Sequence, residues 1–310
     1  YEMRANTYYF EFQPEKALLD YRKMIELETK NARYYNNYLK LLNEMRKDVE
    51  MIKTYEILEN EEKAGTKFDD AEKFLDDAYF YASLAFERQK NPNKAIELLS
   101  KAIKNSPDAE MYYNNRGLIY SDLDEDQKAL KDMNKAIELT PDNDDFFVNR
   151  SRVYFRMNDH INGRKDLLKA LALGNSDPGV YADIAITYLI ENNHQKASEY
   201  YKIAAEKMPH KAGIVSNYAY SLLELKDIKG AKTNFEKAYK VEPTEIDILL
   251  GLMMVSYLEN DGNLQKYKST FEKDFFVFKL NASLLNSLEK EGYSYSDTFK
   301  KNWVELLKKL

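Results

Sequence analysis

The sequence contains no cysteine, and this absence excludes disulfide bonds, thiol catalysis and cysteine-bound zinc or iron–sulfur centres. It is compatible with a reducing or an oxidising compartment; we expect a cytoplasmic protein, and export followed by removal of a signal peptide stays open. Glycine and proline are scarce, at 10 and 7 of 310 residues, which favours long helices over a β-sandwich. No stretch approaches the roughly 18 consecutive apolar residues of a membrane span, so none is predicted.

The sequence also lacks an excess of positive charge and the motifs of common enzyme sites. With a net charge of −6 it has no electrostatic footprint for duplex nucleic acid, so we predict no nucleic-acid partner. We find no phosphate-binding loop, nucleophile elbow or zinc-binding helix motif. The chain is therefore predicted not to be an enzyme and to need no metal or other cofactor.

A repeat with a period of 34 residues runs through the middle of the sequence. Pro107 and Pro141 lie 34 residues apart, Pro209 and Pro243 likewise, and Asn175 occupies the vacant slot between the two pairs. Small residues precede these terminators by five and by twelve positions: Ala102, Ala136, Ala170, Ala204 and Ala238, and Ala95, Ala129, Gly163, Ala197 and Ala231. Small residues at helical spacing let two helices approach closely, and a fixed period of this length predicts a helical solenoid.

A second pattern lies upstream of these small residues in every unit. A bulky, mostly aromatic residue is followed seven positions later by another: Tyr79, Tyr113, Phe147, Tyr181 and Val215, and then Phe86, Tyr120, Tyr154, Tyr188 and Leu222. A small residue stands four positions after the first of each pair: Ser83, Gly117, Ser151, Ala185 and Ala219. The pattern predicts a first helix in each unit, with Gly117 at a position where this helix crosses its partner closely.

This register resembles the tetratricopeptide repeat family over residues 76–245, in five consecutive regular units: 76–109, 110–143, 144–177, 178–211 and 212–245. Residues 1–75 resemble two further units, the first truncated and the second elongated by ten residues, as a longer helix or a loop, around Glu59 to Asp70. Because ENEEKAG is charged and has no apolar stripe, we expect this segment to be the least protected part of the chain's interior. Tyr1 falls inside the first unit, so we expect a piece of a longer protein.

Residues 246–310 resemble a degenerate repeat followed by capping helices. The last helical segment carries Trp303, Leu306 and Leu310 on one side and lysines on the other. One polar face is what the terminal helix of a repeat array needs.

The resemblance implies an all-α fold, a right-handed superhelical solenoid of antiparallel helix pairs whose concave groove is lined by the first helices. In this family the sixth position of each unit points into the groove, and here it holds Asn37, Asn115, Asn149, Asp183 and Asn217. A carboxamide offers one acceptor and two donors, so a ladder of asparagines can pair with the backbone of an extended peptide. The alternative is that these asparagines cap or bridge neighbouring helices.

Other groove positions add predicted peptide contacts: Arg152, Ile186, Tyr220 and Met254. Arg116 and Arg150 follow their asparagines directly and suit either acidic side chains of a ligand or local bridges on the helix surface. Some members of the family clamp the terminal carboxylate of a chaperone tail with lysines, asparagines and an arginine. Here the lysine and arginine of that clamp are missing, so we expect no such binding.

The histidines do not suggest a metal site. His160 and His194 are 34 residues apart and therefore occupy the same turn of adjacent units. Two helix layers of about 8–10 Å each separate such turns, which is too far for both rings to bind one metal ion. We predict that both are solvated turn residues.

Two functional hypotheses remain, and both expect a protein or peptide partner. The first is a non-catalytic scaffold that binds an extended peptide or a partner protein in the concave groove. The second is a regulatory or substrate-recruiting repeat arm of a larger enzyme or signalling protein.

Overall fold

The computed structural model describes residues 1–28, 30–275, 279–281, 283–290 and 295–310. Within these segments the chain forms eighteen α-helices and no β-strand, apart from an isolated bridge between Asn31 and Asp69. The predicted all-α class is confirmed. None of the helices in these segments is both long and apolar enough to cross a membrane.

The chain divides into two compact units, and unit 1 is Tyr1–Leu173. Unit 1 consists of five helix pairs: α1 Glu2–Phe10 with α2 Pro14–Leu27, α3 Ala32–Glu44 with α4 Asp48–Lys63, α5 Ala71–Arg88 with α6 Pro92–Asn105, α7 Glu110–Asp122 with α8 Asp126–Leu139, and α9 Asp144–Arg156 with α10 His160–Ala172. Three residues join the helices of each pair, and so short a connection makes the partners antiparallel neighbours. The second helix of one pair packs on the first helix of the next.

Unit 2 is Gly174–Leu310 and begins with three further helix pairs. These are α11 Pro178–Ile190 with α12 His194–Lys207, α13 Ala212–Glu224 with α14 Ile228–Val241, and α15 Ile246–Glu259 with α16 Leu264–Asp274. Two shorter helices follow, α17 Leu284–Lys290 and α18 Asp297–Leu307. Trp303 and Leu306 of α18 are buried in the core of unit 2, as the predicted apolar side of a capping helix requires.

The first helix of each pair ends in one conserved geometry along the chain. One residue of each turn is left-handed, and these residues recur every 34 positions except for one interval of 44: Phe12, Arg46, Lys90, Asp124, Asn158, Asn192, Lys226 and Asn260. At Lys226 the amide donates to the carbonyl of Leu223, and the next amide donates to Leu222, both at 3.0 Å. Such a pair of bonds satisfies carbonyl groups that a helix end otherwise leaves free.

The interval of 44 contains the ten extra residues, and the structure differs there from the expectation of weak protection. α4 continues to Lys63, so the first half of the expected weak segment is helical. Glu59 accepts a hydrogen bond from Lys94 at 2.6 Å, and Glu62 accepts one from Lys101 at 3.2 Å. The sequence pattern missed these contacts because charged side chains, rather than an apolar stripe, attach this segment to α6.

Close helix crossings occur where the small residues predicted them. Ala95, Ala129 and Ala197 are completely buried. At Gly117 an added Cβ would lie 3.1 Å from Cγ of Met133 and 3.3 Å from the carbonyl oxygen of Ala129. Helices α7 and α8 therefore meet at this glycine with almost no free space.

Buried arginine–aspartate pairs connect the two helices of three pairs in unit 1. Nε and Nη2 of Arg116 donate to the two carboxylate oxygens of Asp132 at 2.7 and 2.9 Å. Arg150 and Asp166 repeat this bidentate geometry, and so do Arg4 and Asp20. Arg4 precedes Arg116 by three periods and the ten-residue excess, so the same register reaches α1. The interpretation of Arg116 and Arg150 as local bridges is confirmed.

We expect Arg116→Ala to lower the free energy of unfolding by about 3–5 kcal/mol. The side chain of Asp132 is only 6% exposed, so the variant leaves a buried carboxylate without its cation. The control is Arg22→Ala, because Arg22 and Glu26 form an exposed surface pair 3.8 Å apart that contributes about 0–1 kcal/mol. Urea unfolding and hydrogen exchange in α8 measure both. Equal losses in the two variants would contradict this prediction.

We expect Lys226→Asn to raise the free energy of unfolding by about 0.5–1 kcal/mol, because asparagine tolerates the left-handed conformation better than lysine does. The control Lys229→Asn places the same change on the exposed surface of α14, where asparagine is the poorer helix former and should cost a few tenths of a kcal/mol. The two variants should therefore shift the thermal unfolding midpoint in opposite directions. A lower midpoint for Lys226→Asn would contradict the prediction.

Candidate functional site

Four predicted contact residues lie in unit 1, at partly or fully exposed positions: Asn37 on α3, Asn115 on α7, and Asn149 and Arg152 on α9. Nδ2 of Asn115 donates to the carbonyl oxygen of Met111 in its own helix at 2.8 Å. Nδ2 of Asn149 donates to Oδ1 of Asn114 at 3.1 Å and so links α9 to α7. Both contacts are of the local kind that the bridging interpretation expects. Each amide group still keeps a second N–H.

The other predicted contacts lie in unit 2, where three of them line one cavity of about 930 Å³. Ile186 comes from α11, and Asn217 and Tyr220 come from α13. The start of α15 and residues 295–299 complete the lining. We call this space the first-helix cavity, because α11, α13 and α15 are the first helices of the three pairs in unit 2.

The first-helix cavity combines apolar surface with hydrogen-bonding groups. Ile186 is 44% exposed and Ile190 is 51% exposed, and both line it. Asn217 is partly exposed and hydrogen bonds to the side chain of Tyr201, which is buried in the wall. The cavity therefore offers both apolar contacts and a carboxamide to a ligand.

Asp183 and Met254 are placed differently from these three residues. Asp183 is exposed on α11 but does not line the cavity. Met254 is completely buried in the core of unit 2 and presents no surface to a ligand in this arrangement. The physical reason is that α15 is covered on all sides: its residues from Ile248 to Ser256 are all buried.

The segment that leads into α18 forms one wall of the cavity, which the sequence analysis missed. The ring of Phe299 lies 5.4 Å from that of Tyr220 and 5.3 Å from that of Tyr295. The hydroxyl of Ser296 donates to the carboxylate of Glu224. One signal was present, since Tyr295, Phe299 and Trp303 recur every four residues and mark one face of a helix. The sequence analysis assigned that face only to capping.

Asp247 stands at the start of α15, where it lines the cavity close to the aromatic wall. Burial raises the pKa of its carboxyl group to about 6, and hydrogen bonds from Tyr220 and Tyr295 only partly oppose this rise. The hydroxyl of Tyr220 also donates to the backbone oxygen of Asp247 at 2.8 Å. A carboxylate near the cavity is thus ionised at neutral pH at a cost in stability.

His194 differs from its predicted place in a solvated turn. It is the first residue of α12, it lines the cavity, and its Nδ1 is shielded from water without a hydrogen-bond partner. Throughout the described segments, no group of three or more histidine, aspartate and glutamate side chains is arranged to hold a metal ion.

We expect Asp247→Asn to become progressively more stable than the wild type as the pH rises from about 4 to about 6. The carboxyl pKa is about 6 in the folded chain and 3.8 in the reference state, so ionisation over this range favours unfolding. The stability difference should grow by about 1–3 kcal/mol between pH 4 and pH 7 in urea unfolding. Asp142→Asn, in an exposed turn, controls for the loss of one charge. A pH-independent difference for Asp247→Asn would contradict the prediction.

Comparisons with known proteins agree with this architecture. Family models described as tetratricopeptide repeat match residues 77–109, 111–143 and 212–245. No curated protein is similar in sequence at a significant level.

Solved structures with the same fold include the C-terminal part of a TPR repeat-containing protein from Cytophaga hutchinsonii. It superposes with a TM-score of 0.66 at 16% identity and covers 81% of this chain and 98% of its own. YrrB, described as a TPR protein with an unusual peptide-binding site, gives a TM-score of 0.55 at 17% identity over 63% of this chain and 99% of its own. PilW, a type IV pilus biogenesis factor, gives 0.53 at 18% identity over 69% and 98%. Together with the three matched repeats and the helix pairs, these similarities show that the chain belongs to the tetratricopeptide repeat family.

Proposed function

We propose that the chain is a non-catalytic interaction scaffold whose unit 2 binds an extended peptide segment of a partner protein in the first-helix cavity. The observation that carries this proposal is the convergence of Ile186, Asn217 and Tyr220 on one cavity. These residues were selected from the repeat register alone. The cavity that they line has a volume typical of ligand pockets, which hold about 300–1,000 Å³.

The chemistry of the lining favours a peptide over a purely apolar ligand. Ile186 and Ile190 offer exposed apolar surface that a ligand side chain would cover. Asn217 can offer an N–H donor or an oxygen acceptor to a peptide group. The same fold carries a peptide-binding site in YrrB, and this supports the class of ligand without identifying it.

The remaining predicted residues enter the proposal as secondary contacts. Asn37, Asn115, Asn149, Arg152 and Asp183 are all at least partly exposed. Asn115 and Asn149 each retain an N–H for a ligand, although both also make local hydrogen bonds. A single hydrogen bond contributes only about 0.5–1.5 kcal/mol net, so we expect modest affinity, with the apolar contacts in unit 2 as the main contributors.

The proposal is tested by selecting short random peptides displayed on phage against the full chain. Synthetic copies of enriched peptides are then titrated by fluorescence anisotropy. We expect Ile186→Ala and Asn217→Ala each to weaken binding about five- to tenfold, which corresponds to roughly 1–1.4 kcal/mol. Enrichment followed by loss of affinity in both variants is the supporting result.

Ile57→Ala is the matched control, because Ile57 lies in unit 1 and is 47% exposed, close to the 44% of Ile186. It should leave peptide affinity unchanged. Thermal unfolding of each variant checks that the fold persists, since Asn217 also hydrogen bonds to Tyr201. The proposal fails if no peptide is enriched, or if enriched peptides bind the Ile186→Ala and Asn217→Ala variants as tightly as the wild type.

A further inference from the structure

The lining of the first-helix cavity is strongly one-sided in charge. Five carboxylates line it: Glu224, Glu242, Glu245, Asp247 and Asp297. No lysine or arginine is among the residues that line it, and His194 is the one basic side chain there. The lysines and arginines that neutralise acidic groups elsewhere in the chain are therefore missing from this wall.

Within the described segments, none of these five carboxylates forms an ion pair with a lysine or arginine. The nearby acidic side chains of Glu259 and Asp261 provide the contrast, because both are paired with Lys232 in the same unit. Glu224 has a partner, but it is the neutral hydroxyl of Ser296. The negative charge that faces the cavity is thus not balanced by the chain's own cations.

Aromatic rings stand beside these carboxylates. Tyr201, Tyr220, Tyr295 and Phe299 line the same cavity. The face of an aromatic ring attracts an ammonium or guanidinium group, and a carboxylate does so more strongly. The raised pKa of Asp247 is consistent with a carboxylate that lacks a cationic neighbour.

The arrangement distinguishes between two kinds of cation. A metal ion needs several oxygen ligands that converge on one point at roughly 2.0–2.6 Å. No such group of carboxylates occurs in the described part of the chain. The acidic groups are instead distributed over α13, the turn before α15, α15 itself and α18, which suits a longer ligand that carries its positive charge on a flexible side chain.

We propose that the first-helix cavity selects a basic peptide segment and receives a lysine or arginine side chain between its carboxylates and its tyrosines. This inference rests on the proposed peptide-binding function and specifies the chemistry of the ligand. Charge complementarity identifies the occupant, because five unpaired carboxylates repel an acidic segment and leave a neutral one without compensation for their charge.

The test uses three pools of random peptides that differ only at two fixed positions, which carry lysine, glutamate or norleucine. Norleucine keeps the aliphatic chain of lysine without its charge. Binding to the full chain is measured by fluorescence anisotropy at low and at high ionic strength. We expect the lysine pool to bind at least tenfold more tightly than the norleucine pool at low salt, with the glutamate pool weakest. The lysine advantage should shrink as salt increases.

A charge-removal variant localises the effect. Glu245→Gln combined with Asp297→Asn should reduce the advantage of the lysine pool at least fivefold and leave the norleucine pool nearly unchanged. The matched control is Asp108→Asn combined with Asp142→Asn, which removes the same charge from exposed positions in unit 1 and should preserve the lysine advantage.

Each alternative outcome has a distinct meaning. If all pools bind equally and Ile186→Ala weakens them all, the preference for a basic segment is wrong and the proposed peptide-binding function stands. If the lysine pool is preferred but both charge-removal variants behave alike, the attraction is a general effect of the acidic chain and the inference fails. If no pool binds, both the inference and the proposed function fail.

Discussion

The close approach of the two helices in each pair is the constraint on which the rest of the structure depends. It requires small residues on the second helix, and Ala95, Ala129, Ala197 and Ala231 are all completely buried at equivalent positions. Once the helices are this close, a three-residue turn with one left-handed residue can join them. Contact along one side of the first helix also leaves its opposite side unused by the core. Asn217 and Ile186 project from that side into the cavity of unit 2.

Much of this architecture could be predicted because the determining contacts are local and periodic. The positions of Ala102, Gly117 and Pro107 define helix crossings and helix ends within a single unit, so the pattern is visible without knowledge of distant contacts. The ten extra residues were correctly located as an interruption of the period. Their structure could not be derived from hydrophobic pattern, since Glu59 and Glu62 are held by the lysines of a different helix.

The candidate site was less predictable, and for the same physical reason. Ile186, Asn217 and Tyr220 belong to the repeat, so their register places them on the first-helix side. The wall formed by Tyr295 and Phe299 lies outside the repeat, and its contact with Tyr220 joins residues that are far apart in sequence. Met254 occupies a groove position in the family register, yet it is fully buried, because the apolar α15 is enclosed by the core of unit 2.

Charge is used in two opposite ways in the two units. In unit 1, the buried carboxylates of Asp132 and Asp166 are each bound by two nitrogens of an arginine from the partner helix. Those charges are satisfied internally and act on the fold, because removing either partner leaves a buried ion. Around the cavity of unit 2, by contrast, Asp247 is ionised at neutral pH against the cost of its own burial. A carboxylate that destabilises the free chain can recover that cost only through a cation from outside. Acidic residues of the same kind therefore stabilise the fold in unit 1 and are available for recognition in unit 2.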